Sequence, residues 1–407
     1  MYPHQAERLT AALEGEGLDA LVASSPANVA YVTGFWSLAR AVQPATEIYA
    51  VAARAGAALV VPTIDALAVI DGDAQADHVV CHGRFSYDYG PASPPPGASA
   101  GPATVETAAG GERARRLRAV AASSAATAED ALAAGLAALG LRAGRIGLDD
   151  AALPAARVAA LGQRLAGHTL VSASEAFATA RLVKSPYEID CLQQALHLTE
   201  ESLDAVLGLL RPGVTEREAA TAFEHEATRR GVAPYRTIVA FGAGSAVPAP
   251  WPTERALRSG DFVRFDLGCV AKGYRSNVAR MAVMGEPSAR QQAVFDALHA
   301  GMEALLDALR PGVTGSQLFD TGVAAVRKAG LPGFERHHMG HAIGLEATEA
   351  PWLAPGGGAL EMGMVVCPET PYYAAGEAGL TVTETALVTR TGAHPLNRSH
   401  RGLVVLD

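Results

Sequence analysis

The sequence predicts an α+β chain of two domains, a smaller α/β domain over residues 1–178 and a larger one over residues 179–407. Three observations predict it. A length of 407 residues suits two domains better than one. The first part alternates short apolar runs with stretches of helical spacing, the pattern of an α/β layer. The second part sets strand pairs among long helices and carries acidic residues inside strand-like runs. With 49% hydrophobic and only 18% charged residues, the chain has material for a substantial core.

In order, residues 4–16 have helical apolar spacing through Leu9 and Leu13. DALVA (19–23), EIYAV (47–51) and ALVVP (58–62) read as buried strands. The stretch 90–111 is rich in proline and glycine and nearly free of large apolar residues. It reads as a long solvated loop or disordered insertion. Residues 116–140 are Ala-rich and helical, and RIGLDD (145–150) and HTLVSAS (168–174) close the first domain as strands. Helices are expected near 186–210 and 215–230, parted by Pro212-Gly213, and again near 287–309 and 315–328.

Composition excludes several classes of partner. A net charge of −9 and a pI near 5.8 argue against nucleic acid or an anionic membrane surface. No apolar run approaches the ~20 residues of a spanning helix. The four cysteines, Cys81, Cys191, Cys269 and Cys367, show no paired spacing, which predicts a reducing, cytoplasmic setting.

The chemistry gathers in the C-terminal half. FVRFDLGCV (262–270) carries Asp266, GMVVCPETPYY (363–373) carries Glu369, and LTVTETALVT (380–389) carries Glu384. An acid in such a run needs a partner, because burying a bare carboxylate is costly. ERHHMGHAIGLEATEAP (335–351) places His337 and His341 four apart, with Gly340 and Gly344 flanking the second. These stand as metal ligands or proton carriers, or as ordinary surface histidines in a loop.

These segments, with NVAYVTGF (28–35), ARLVKSPYEIDCLQQA (180–195), TIVAFGAGSAVPAPWPTERALRSGDFVRFDLG (237–268) and GYRSNVAR (273–280), resemble in order the creatinase, prolidase and aminopeptidase P branch of the pita-bread metallopeptidases. The resemblance implies a creatinase-type α/β N-terminal domain before a pita-bread catalytic domain, a homodimer in which residues 90–111 are alternatively a flap reaching a neighbouring subunit's site, and two divalent ions held by two Asp, one His and two Glu. Carried over, those ligands are Asp266, the position of Asn277, His341, Glu369 and Glu384. Asn277 departs from the pattern, standing eleven positions after Asp266 where a bridging aspartate is expected. An amide is neutral and bridges poorly. The expectation is therefore one ion at most (Mn, Fe, Co or Zn), caged by His341, Glu369 and Glu384 with Asp266 as an outer ligand, or none.

Two accessory histidines of the family are also replaced, by Ala249 and Thr348, leaving His337. Trp251, Thr348 and Trp352 border the pocket in this resemblance and are candidate substrate contacts. Cys367, Tyr274 and Arg280 read as packing or structural residues. The implied activity is metal-assisted hydrolysis of a C–N bond in a small amino-acid-derived substrate, with Glu369 as base and His337 handling a proton. A lyase or single-iron enzyme on the same fold, and a non-catalytic binding module, are the alternatives.

Overall fold

The computed structural model describes residues 3–87 and 105–407. It divides into two compact units, Met1–Ala180 and Arg181–Asp407.

The first unit is built on a six-stranded sheet: β1 (Ala20–Ala23), β2 (Tyr49–Ala53), β3 (Gly56–Pro62), β4 (His78–His82), β5 (Gly144–Leu148) and β6 (His168–Ser172), in spatial order β4-β3-β2-β1-β5-β6. β2 runs antiparallel to both its neighbours, and the outer pairs β3–β4, β1–β5 and β5–β6 are parallel. β1 and β2 are buried along their whole length, as strands covered on both faces must be. Helix Ala128–Ala138 lays Leu132 and Leu136 against Val60, Tyr49 and Ile146 of the sheet.

Most of the loop expected over 90–111 lies outside the described residues. Its last part does not stay irregular, because residues 105–111 open helix Val105–Ala122. The helical stretch expected over 116–140 is two helices. Thr127 caps the second by accepting from the Asp130 amide, which ends one helix and starts another.

The second unit carries two five-stranded sheets and a hairpin. One contains β7 (Ala233–Phe241), β8 (Phe262–Ala271), β9 (Tyr274–Arg275), β10 (Val278–Met284) and the last strand of the chain. The other contains β11 (Gly340–Ala342), β12 (Glu349–Trp352), β13 (Val365–Pro368) and the two strands that follow the hairpin. The hairpin is β14 (Tyr372–Ala374) with β15 (Ala378–Leu380), then come β16 (Ala386–Thr389), β17 (Gly392–Pro395) and β18 (Val404–Leu406). Helices Pro186–Leu207, Glu216–Arg229, Ala289–Ala308 and Gly315–Lys328 each begin with a Ser or Thr cap and a Glu or Gln that returns the bond. Leu298, Met302 and Leu305 of the third helix and Leu318 and Val326 of the fourth pack with Val366, Val382 and Ala386.

Glu369 and Glu384 were expected inside strands. They lie just beyond them, joined through an isolated bridge between Glu369 and Thr383. Pro368 and Pro371 bracket Glu369, and proline cannot donate to a ladder, so regular pairing stops there.

Candidate active site

A relay of backbone hydrogen bonds brings the acidic segments together. Asp266 on β8 stands opposite Ala279 on β10. The Ala279 carbonyl accepts from the Thr383 amide, the Pro368 carbonyl from the Glu384 amide, and the Met339 carbonyl from the Glu369 amide. The HHMGH segment, β8 and the two late glutamates therefore meet at one cluster. Gly340 is required by this geometry. Its φ is +134°, and a Cβ there would lie 2.3 Å from the Cys367 carbonyl oxygen. A Cβ on Gly344 would collide with the Glu349 carboxylate. Both glycines thus serve close packing of the protein against itself.

Each acid in the cluster has a cationic or imidazole partner. Arg236 Nη2 lies 3.0 Å from Asp266 Oδ1 and also donates to Asn277 Oδ1. Glu384 Oε2 lies 3.5 Å from Arg280 and 3.5 Å from Arg401. Glu369 Oε1 lies 3.1 Å from His338 Nδ1. That nitrogen also accepts from the Gly340 amide at 3.3 Å. A ring nitrogen accepting a bond carries no proton, so His338 meets Glu369 through an unprotonated nitrogen.

The titration of the pair agrees. Burial, reinforced by the Asp266 charge, pushes Glu369 up to about 7 against the pull of Arg236 and Arg336. Burial lowers His338 to about 4, and the charges of His337, Arg336 and His341 act the same way. Burial also raises Glu384 to about 7 in spite of Arg280 and Arg401. His341 is buried, and its Nδ1 donates to the Ala342 carbonyl at 2.9 Å, which leaves the Nε2 lone pair as its acceptor. Burial holds its pKa below the ordinary range.

Of the residues singled out in the sequence, Asp266, Asn277, His341, Glu369 and Glu384 come together. Trp352 stands beside them, its ring 5.2 Å from that of His338 and 5.8 Å from that of His341. Thr348 is exposed and Trp251 is 89% exposed. Cys367 is fully buried with its thiol pushed up to about 12, a small hydrophobe in effect. Tyr274 donates to Glu188 at 3.2 Å and ties a strand to a helix start. Arg280, read as structural, donates to the Thr383 carbonyl at 2.5 Å and also faces Glu384.

His337 was expected to handle the proton, but it is exposed and packs edge-on against His338, which is the ring that meets Glu369. The spacing of four singled out His337 and not His338, because backbone direction and not spacing decides which ring turns inward.

Arg236 was missed altogether. Its signal is period-two alternation on β7: Arg236 and Ile238 share a face, and Ile238 pairs with Asp266. That signal needs the strand register, which the sequence does not supply.

The sequence led to one ion at most, caged by His341, Glu369 and Glu384, or to none. Among the described residues no three His, Cys, Asp or Glu side chains form a group able to hold a metal ion. The reason is electrostatic. Asp266 and Asn277 are engaged by one guanidinium and Glu384 faces two. A dication about 5 Å from the Arg236 charge would meet repulsion on the order of 7 kcal/mol at an effective dielectric of about 20. The residues present do not fit a divalent pair.

Two stretches of the chain match known family models. Residues 190–390 match metallopeptidase family M24, and residues 5–84 match the creatinase/prolidase N-terminal domain. The putative dipeptidase YkvY of Bacillus subtilis is 30% identical over 59% of this chain and 67% of its own length, and an Xaa-Pro dipeptidase of Lactobacillus delbrueckii subsp. lactis is 30% identical over 57% of this chain and 64% of its own. The peptidase YqhT of Bacillus subtilis is 28% identical over 64% of this chain and 75% of its own. The solved Xaa-Pro dipeptidase of Bacillus anthracis superposes with a TM-score of 0.78 at 22% identity, covering 99% of both chains. The chain therefore belongs to metallopeptidase family M24, in the creatinase, prolidase and aminopeptidase P branch, with the creatinase-type domain before the pita-bread domain. It is related to the Xaa-Pro peptidases, and among the described residues no helix is long and apolar enough to cross a membrane.

Proposed function

We propose that this chain hydrolyses a C–N bond in a small amino-acid-derived substrate, an amide or peptide-like bond as in Xaa-Pro dipeptides, at the cluster around Glu369. The observation that carries the reading is the 3.1 Å contact between Glu369 and His338, with the Gly340 amide fixing the ring as acceptor. With its pKa raised to about 7, Glu369 is partly ionised near neutrality, and that carboxylate can take a proton from water and return it. Water attacks the carbonyl carbon, a C–O bond forms and the C–N bond breaks. The proton lost by water passes through Glu369 to the departing nitrogen. His341 offers its Nε2 lone pair to a donor on the substrate, and the Trp352 ring forms an apolar wall. The absence of histidine at Ala249 and Thr348 favours a substrate that departs from the ordinary Xaa-Pro dipeptide.

The test is a panel of Xaa-Pro dipeptides, N-acyl amino acids and amidino amino acids, with amine release followed by mass spectrometry. Turnover in water enriched in oxygen-18 should place the label in the acid product. Glu369→Gln should then lower kcat by about a hundredfold or more. An unsaturated, unlabelled product would replace this reading with a lyase, which the same acid–base pair would also serve. Full activity of Glu369→Gln would overturn both.

A further inference from the structure

We infer that Arg236 is a built-in replacement for the metal at this site, so that the chain carries its own cation and does not take up a divalent ion. The guanidinium touches both residues at the two aspartate positions of the family pattern. It lies 3.0 Å from Asp266 Oδ1 and donates to Asn277 Oδ1. An ion bound to that same Asp266 oxygen at about 2 Å could be no further than about 5 Å from the Arg236 nitrogen. The two cations would repel each other across that distance.

Asn277 takes on a different meaning in this arrangement. Read alone, an amide at a bridging position is a lost ligand. Beside Arg236 it is a matched partner, since its oxygen accepts a guanidinium N–H while its neutrality leaves the single Arg236 charge balanced by Asp266. Arg236 is itself held in place. Its strand pairs with β8, and its guanidinium lies 5.8 Å from the centre of the neighbouring Tyr235 ring. Tyr235 is fixed in turn, its hydroxyl donating to the Ser276 carbonyl at 2.8 Å, next to Asn277. On the far side of the cluster, Arg280 and Arg401 face Glu384 in the same way. Arginine suits this role because its charge is permanent, and here one nitrogen, Nη2, reaches both Asp266 and Asn277.

The consequence is that restoring one residue does not restore metal binding. Asn277→Asp would put a second carboxylate on the Arg236 guanidinium and tighten the clamp. Only removal of Arg236 together with Asn277→Asp opens a place for an ion.

The experiment measures metal content by mass spectrometry after equilibrium dialysis of the full chain against MnCl2 and, separately, ZnCl2, with protein purified without chelator. Thermal melts with and without MnCl2 run beside it. The wild type and N277D should retain far less than one ion per chain and show no shift in Tm on adding Mn2+. R236S/N277D should retain Mn2+ stoichiometrically and melt higher in its presence. Stoichiometric retention by the wild type, uptake by N277D alone, or a folded R236S/N277D that takes up nothing would each overturn the inference. The wild-type arm decides the matter even where the double variant does not fold. Since no arm reads turnover, failure here is distinguishable from failure of the hydrolase reading.

Discussion

Single side chains decide the chemistry of this cluster through their partners. Between two adjacent histidines only His338 reaches Glu369, so His338→Ala should lower kcat well beyond the effect of His337→Ala, whose ring is exposed. Steady-state kinetics of the two variants on the identified substrate make the comparison. Equal losses would return the proton-handling role to His337.

Glu349 shows the opposite use of a buried acid. It is nearly inaccessible, lies 2.9 Å from Lys184, pairs with Arg181, and has Glu346 beside the same arginine. Burial alone would raise its pKa, but Lys184 and Arg181 outweigh this and hold it at about 2, against an ordinary value of 4.5. A depressed acid stabilises the fold fully above its unfolded pKa and loses that contribution as pH falls. The contribution of Glu349 is therefore present at pH 5 and above and fades between about 4.5 and 2. Glu349→Gln should cost about 3 kcal/mol at neutral pH and much less near pH 2, read from urea melts at the two pH values.

At the level of elements, the site rests on strands and loops that helices hold from behind. Helix Pro186–Leu207 begins with Ser185 accepting from the Glu188 amide while the Glu188 carboxylate accepts from the Ser185 amide. Glu188 also accepts from Tyr274, the residue that leads into Asn277. Ser185→Ala removes one half of this box and should lower stability by about 1 kcal/mol. The urea midpoint should fall with the slope unchanged, since no extra surface is exposed on unfolding. A changed slope would mean that the cap does more than satisfy an amide. The helices were legible from sequence because their caps, breaks and apolar spacing are local signals. The positions of Glu369 and Glu384 beyond their strands were not, since the prolines around Glu369 act through a bridge to Thr383 in a different segment.

For the whole molecule, the family resemblance carries an expectation of assembly. A homodimer is proposed on that ground, and static light scattering at micromolar concentration should report twice the 41.9 kDa chain mass. A monomer mass over the same range would refute it. The acidic balance of the chain, −9 at neutral pH, fits a small-molecule substrate better than a polyanionic partner.

The sequence by itself determined the long helices of the second unit and the segments in which the candidate acids lie. Helical spacing, caps and glycine breaks act over a few residues, and the ordered motifs name Asp266, Asn277, His341, Glu369 and Glu384 without any structure. Only the tertiary structure decided what neutralises them. Arg236 is 41 positions from Asn277, and Glu384 is faced by Arg280 and Arg401 from either side of it in the chain. No local pattern announces such pairs. A charge at a strand position reads the same whether it faces solvent, a metal or a guanidinium, and only the register of β7 on β8 and the packing around the HHMGH turn choose among them.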